Sequence, residues 1–243
     1  NPVDQGNAQY GIVGGECLTV LDDVFVPWER VFMCGEYQFS GLLVERFACY
    51  HRSNYGGCKT GVSDVVIGAA ALMADYSGYG KASHIKEKLN EMIHKEETLW
   101  ACSLACSCEG KATPSGAYFV DPLLANVGKH NVTQLIYEID RLAQDIGGGI
   151  IATMPSETDL KSPEVGKYVD KYLRGVAEVP TEDRMRVARL IENMTGGTAL
   201  VESMHGAGSP QAQKVMYSKL SNLEQKKKFA ANIAGVGRTE KSE

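Results

Sequence analysis

The stretch "CYHRSNYGGCKTG" (Cys49–Gly61) gathers His51, Tyr55, Cys58 and Lys59 around a Gly-Gly pair. An imidazole, a phenol, a thiol and an amine can between them move protons, hold a metal or stabilise charge. On one continuous helix His51 and Cys58 share a face, roughly 10 Å apart along the axis. That is too far for one zinc or iron ion, but it suits a cluster whose irons take separate ligands. Alternatively, Gly56-Gly57 breaks the helix and sets Cys58 at the positive end of the next one, where a thiolate is favoured. The plainest alternative is a polar turn between core helices, with His51 hydrogen-bonded and Cys58 buried.

Other chemistry-bearing groups lie further along. Cys102 and Cys106 in "CSLACSC" stand at i and i+4 on one helix face. Two cluster ligands could share that spacing, but small residues on an amphipathic helix more often mark close packing, which is the preferred reading. "QDIGGGIIATMPSETD" places Gly147, Gly148 and Gly149 at a helix end, followed by Thr153, Ser156 and Asp159. Backbone can approach a phosphate closely there. A simple helix cap and loop competes with that reading, and the pattern is not the G-x-G-x-x-G dinucleotide fingerprint. Glu202 and His205 lie in "GGTALVESMHGAGSP", and Glu16 in "VGGECLT". A buried carboxylate has a raised pKa and can work as acid or base near neutrality. Taken alone, each reads first as structural.

The elements that must position these groups follow from periodicity. "GECLTVLDDVFVPWERVFM" alternates apolar and polar residues and turns at Asp22-Asp23 and Pro27, which predicts strand, turn, strand at the edge of a β-domain. From about Ser40 the apolar spacing becomes helical and nearly uncharged, as in a helix inside a bundle. Ser83 and Thr181 are expected as helix N-caps, and Pro163 at the first position of a helix after Ser162. The fold class is therefore mainly α, a short β-segment over residues 1–38 followed by a helical bundle over 39–243.

Composition narrows the partners. A net charge of −5 and no basic stripe argue against nucleic acid. No run of about 18 apolar residues reads as a membrane span, and no signal-peptide pattern is present. Seven cysteines outside any secreted framework suit free thiols in a reducing cytoplasm. The opening at Asn1 reads as the inside of a longer polypeptide.

Taken together, "HRSNYGGCKTG", "GGECLTVLDDVFVPWERVF", "DIGGGIIATMPSE" and "MTGGTALVESMHGAGSPQ" resemble the 4-hydroxybutyryl-CoA dehydratase family, which also has vinylacetyl-CoA Δ-isomerase activity. The likeness runs along most of the chain and corresponds to that family's C-terminal half. Flavin-dependent 4-hydroxyphenylacetate 3-monooxygenases share the "DDVFVPWERVF" and "GGG…PS" features, and both groups are similar in fold to acyl-CoA dehydrogenases. The resemblance implies the last strands of a middle β-barrel, then a C-terminal helical bundle.

It also implies FAD, a [4Fe-4S] cluster, an acyl-CoA substrate and a homotetramer. His51 and Cys58 match two cluster ligands; the other two cysteines belong to the family's N-terminal half and are not transferred to Cys102 and Cys106. The implied reaction is dehydration of 4-hydroxybutyryl-CoA to crotonyl-CoA by a flavin- and iron–sulfur-assisted radical route. His51 would be both a weak iron ligand and a base, and Tyr55 would hydrogen-bond or protonate the leaving hydroxyl. Lys59 would pair with the flavin, Gly147 to Gly149 and Thr153 would approach its pyrophosphate, and Glu16 and Glu202 would be active-site acids. His51 and Cys58 are expected to face one cavity with Tyr55 and Lys59 on its wall. Two alternatives are a flavin-dependent aromatic monooxygenase and a non-catalytic partner that only stabilises an oligomer.

Overall fold

The computed structural model describes residues 3–4 and 17–236. The mainly-α reading holds. The helices are α1 (Ser40–Tyr76), α2 (Ser83–Cys108), α3 (Pro122–Gly147), α4 (Glu157–Leu160), α5 (Gly166–Leu173), α6 (Thr181–Thr195), α7 (Gly197–His205), α8 (Pro210–Leu220) and α9 (Leu223–Ala234). Between α2 and α3, β1 (Lys111–Ala112) and β2 (Tyr118–Phe119) form a two-residue antiparallel ribbon, Lys111 opposite Phe119.

Helices α1, α2 and α3 pack on one another, and α6 closes the group. Their buried faces carry Val66 and Met73, Met92 and Leu99, Val132 and Ile139, and Met185 and Ile191. Burial of such side chains contributes about 1.5–3 kcal/mol each and drives the association. Helix α1 runs unbroken through Gly56-Gly57, so the broken-helix alternative fails. Close approach to α2 explains Gly56: a Cβ there would lie 2.7 Å from the Ser103 Cβ. Cys106 is buried on the same α2 surface, with its Sγ 3.5 Å from the Asp121 carbonyl, and Cys102 Sγ accepts from Asn131 Nδ2 at 3.3 Å. Both are packing residues, as their small size suggested.

The strand, turn, strand expected before Ser40 is not found among described residues 17–39. Two 3-10 turns, Trp28–Arg30 and Tyr37–Phe39, are the regular structure there. A strand needs a neighbour for its row of N–H and C=O groups, and no described segment supplies one. Leu18, Phe25 and Phe32 stand exposed, with 91%, 87% and 96% of their surface accessible.

Helix starts were partly misread. Ser83 and Thr181 open their helices without capping them, and the Thr181 hydroxyl donates to Asp170 instead. Helix α5 starts at Gly166, beyond Pro163. Asp121 and Ser209 are true caps, each followed by a proline.

By length and composition the segment Tyr37–Tyr76 would suffice to cross a membrane. Arg52 and Lys59 within it are nevertheless buried and bonded to other helices of this chain, which marks α1 as a core helix.

Candidate active site

Helical spacing sets His51, Tyr55 and Lys59 one turn apart on α1. Helix α7 brings Glu202 against them from 143 residues or more along the chain. The Tyr55 hydroxyl donates to Glu202 Oε1, and Lys59 Nζ donates to Oε2. The His51 ring lies 5.2 Å from the Tyr55 ring and is edged by Phe47 at 5.6 Å. His51, Tyr55 and Glu202, with Val201, His205 and Gly206, line an open cavity of about 860 Å3. Lys59 sits behind this wall, its side chain 9% exposed, as the ion-pair partner of Glu202.

Two glycine-dependent features make the arrangement possible. The Gly206 N–H bonds back to the Glu202 carbonyl at 2.8 Å, and a Cβ at Gly206 would fall 1.6 Å from the Tyr55 hydroxyl oxygen. Gly208 follows with φ +99°, in the left-handed region that glycine favours. Arg52 ties this turn to α3: its Nε donates to the Ala207 carbonyl at 3.0 Å and its Nη1 to Asn126 Oδ1 at 2.7 Å.

Charge is dense here for a protein interior. Burial pushes the Glu202 carboxyl up, but hydrogen bonds from Lys59 and Tyr55 outweigh it and leave the pKa below the ordinary glutamate value. Lys129 of α3 is fully buried; desolvation pulls it down to about 8, opposed by the Glu202 charge. Its Nζ donates to the Ser203 carbonyl at 2.6 Å and stands 4.4 Å from the Tyr55 ring centroid. Asp140, also buried on α3, is raised to about 7 by desolvation, with Lys59 acting the other way.

Cys58 lines a different cavity. It is exposed, and its surroundings are polar: Tyr50, Asn54, Gly57, Ser103 and Ser107, around about 320 Å3. Among the described residues, then, His51 and Cys58 line two cavities where one shared cavity was expected. Helix α7 covers the flank at His51 and Tyr55, while α2 lies beside the flank at Gly57 and Cys58. Among the described residues no group of three or more His, Cys, Asp or Glu side chains is placed to hold a metal.

The glycine run lies elsewhere again. Gly147 ends α3, and Gly148 caps it with φ +73°, its N–H on the Gln144 carbonyl. Eighteen residues of α3 separate Gly147 from Lys129, about 27 Å of helix. Thr153 Oγ1 donates to the Gly149 carbonyl at 3.3 Å, and Ser156 with Asp159 forms the capping box of α4. The structure does not bring this loop to the His51 cavity. Glu16 lies outside the described residues.

Sequence reasoning missed Lys129, Asp140, Arg52 and Gly206. A signal existed for the first two: Lys129 and Asp140 interrupt the apolar stripe of α3 that runs through Val132, Ile136 and Ile139. A charge on such a stripe is either bonded or functional.

The chain matches the family model described as 4-hydroxyphenylacetate 3-hydroxylase C terminal over residues 40–235. It is 53% identical to the 4-hydroxybutyryl-CoA dehydratase/vinylacetyl-CoA-Delta-isomerase of Clostridium aminobutyricum, over 96% of this chain and 50% of that protein. It is 31% identical to the oxygenase component of 4-hydroxyphenylacetate 3-monooxygenase of Thermus thermophilus, over 74% and 37%. In three dimensions it is similar to an oxygen-tolerant archaeal 4-hydroxybutyryl-CoA dehydratase from N. maritimus, with TM-score 0.92 and 52% identity, covering 100% of this chain and 49% of the other. A 4-hydroxyphenylacetate 3-monooxygenase oxygenase component complexed with FAD matches at TM-score 0.77 and 26% identity, covering 88% and 46%. The chain thus spans 50% and 37% of the length of these two curated relatives. It belongs to the 4-hydroxyphenylacetate 3-hydroxylase C-terminal family, and within that family it is similar to the 4-hydroxybutyryl-CoA dehydratases.

Proposed function

We propose that this chain serves the dehydration of 4-hydroxybutyryl-CoA to crotonyl-CoA, with isomerisation of vinylacetyl-CoA to crotonyl-CoA at the same site. The observation that carries the reading is one wall: the Tyr55 hydroxyl on Glu202, Lys59 on the other Glu202 oxygen, and His51 beside the Tyr55 ring. In the reaction two protons leave carbon, one returns to the terminal carbon and hydroxide departs, which sums to one water. His51 is the base at carbon. Tyr55 donates its proton to the departing hydroxyl, turning its O–H from Glu202 towards the substrate. Lys59, 5.6 Å from the Tyr55 ring centroid, stabilises the phenolate until a proton returns to it. Glu202 fixes the phenol in place and links it to Lys59. Glu16 is a further active-site acid in this reading, by the family resemblance alone.

The residues present fit two cofactors. Gly148 and Gly149 have open space where a side chain would be, and Gly149 opens the 3-10 turn Gly149–Ile151, so a phosphate can approach the backbone at the start of that turn. That fits the pyrophosphate of FAD, with Gly147 and Thr153 framing the loop, and the distance from the cavity fits contact with a flavin held mainly by a neighbouring subunit. An exposed free thiol at Cys58 and an imidazole at His51 are donors of the type that hold iron–sulfur clusters. They would be two ligands of a [4Fe-4S] cluster, completed by cysteines in the part of the relatives that this chain does not span. When bound, the flavin supplies one-electron chemistry that makes the second carbon proton removable, and the iron supplies Lewis acidity at the hydroxyl. The exposed apolar residues from Leu18 to Phe47 support assembly into a homo-oligomer, a tetramer in this reading.

The 31% identity to an aromatic monooxygenase favours a second reading, in which a phenol occupies the His51–Tyr55 cavity. One experiment separates the two: the full-length enzyme is purified without oxygen, its mass, iron and flavin are measured, and 4-hydroxybutyryl-CoA is added. Crotonyl-CoA formation by an iron- and flavin-containing particle is expected. An iron-free particle that hydroxylates a phenol with reduced flavin and oxygen would overturn the dehydratase reading.

A further inference from the structure

Lys129 is the bulkiest of the fully buried side chains, yet it ends in an ammonium. Glu202 is ion-paired with Lys59, not with Lys129. What Lys129 touches is the end of α7 and the face of a ring. Its Nζ donates to the Ser203 carbonyl at 2.6 Å, lies 3.5 Å from the Met204 carbonyl and stands 4.4 Å from the Tyr55 centroid. The last carbonyls of a helix carry partial negative charge, and a ring face attracts a cation.

As a structural device this is poor. Burying an ammonium costs its hydration, and an apolar side chain of similar volume would fill the space at least as stably. Methionine could not, however, grip two elements at once. One is the turn of α7 that carries Glu202 and leads into Gly206; the other is the Tyr55 ring, whose hydroxyl must meet Glu202 with no Cβ at Gly206 in the way. We propose that Lys129 is a positioning residue for Tyr55: its ammonium pins the end of α7 and the phenol ring in the register that sets the Tyr55 hydroxyl on Glu202 beside His51. The inference rests on reading Tyr55 as the proton donor of the site.

The test uses the full-length enzyme with Lys129→Met, assayed on 4-hydroxybutyryl-CoA, and a parallel pair of proteins with 3-fluorotyrosine in place of Tyr55. Turnover should fall about 10²-fold with KM nearly unchanged, the loss expected when a reacting group is misplaced by about 1 Å. Tm should hold or rise, since the buried charge has gone, and the single fluorine resonance should shift. A turnover within about twofold of the parent would overturn the proposal. Should the Met variant not fold, Lys129→Ala is assayed with n-propylammonium and with n-propanol, which have the shape of the missing segment with and without charge. Recovery of turnover by the amine alone supports positioning by the ammonium; recovery by both, or by neither, overturns it. The fluorine resonance needs no substrate, so it also separates the two readings. If the parent enzyme does not dehydrate 4-hydroxybutyryl-CoA, the functional reading falls. Lys129 is then judged by whether n-propylammonium, and not n-propanol, restores the parent resonance.

Discussion

Two flanks of the same stretch of helix α1 point in different directions and are built in opposite ways. The flank at Arg52, Tyr55 and Lys59 is buried, and its polar atoms are bonded to α3, α7 and the turn after α7. The flank at Asn54, Gly57 and Cys58 opens on a polar cavity, with the thiol exposed. A buried polar network is stable only when its members are satisfied together. The first flank meets that condition with residues of this chain. The second offers an exposed thiol with no group of three or more potential metal donors assembled around it among the described residues. In the proposed reading the proton-handling part of the site is thus self-contained, and the cluster part would depend on groups from outside.

The sharpest way to break that comparison is to remove one group from each flank of the full-length enzyme. Cys58→Ala should cost most: iron is lost or becomes labile and turnover goes with it, while Tm of the helical part stays level because the side chain packs against little. Unchanged iron content would show that Cys58 ligates nothing. Tyr55→Phe keeps the ring against Lys129 and His51 and removes only the hydroxyl. Iron content should be normal and turnover about 10²-fold lower, the usual contribution of a general acid. Equal loss of iron in both variants would erase the distinction between the flanks.

How far this was legible in the sequence depends on the range of the interaction. His51, Tyr55 and Lys59 follow from i, i+4 spacing alone. Their meeting with Glu202 does not, because no local pattern specifies which helix end closes over α1, and the family resemblance supplied it. The His51–Cys58 spacing was read correctly as one face of a helix, but a cavity is defined by neighbours, and α2 and α7 take different flanks. The alternation around Leu18 to Val24 was real, yet a strand exists only with a partner, which a window of sequence cannot show. Lys129 and Asp140 were overlooked because a stripe is read by its apolar members, so the charged exceptions passed as noise.

Smaller effects should come from the two close approaches that hold the buried flank. Gly206→Ala drives a methyl onto the Tyr55 hydroxyl, and Gly56→Ala drives one onto Ser103. Each should destabilise by about 1–3 kcal/mol, the usual cost of overpacking. They should differ in kind. Gly206→Ala should also lower turnover by moving Tyr55 off Glu202, whereas Gly56→Ala should shift Tm and leave the rate per folded enzyme near the parent value. Loss of rate in both would mean that the α1–α2 contact, and not only the α7 end, sets the site.

The smallest expected effect concerns Asp140, and its sign follows from linkage. Desolvation lifts its carboxyl from 3.8 to about 7, with the Lys59 charge pulling the other way. The folded protein then binds this proton more tightly than the unfolded chain does. Stability drawn from the group is complete below the unfolded value and is lost as pH rises towards about 7. Asp140→Asn has no such proton to lose. The unfolding free energy of the variant should match the parent near pH 4 and exceed it near pH 8, by an amount on the order of 1–2 kcal/mol after local relaxation. The comparison is best made with Lys59 intact, since removing that charge would raise the carboxyl further and widen the gap. A gap that closed as pH rose would reverse the assignment: Asp140 would be ionised throughout, a working counter-ion of Lys59, and the buried flank would hold a second carboxylate alongside Glu202.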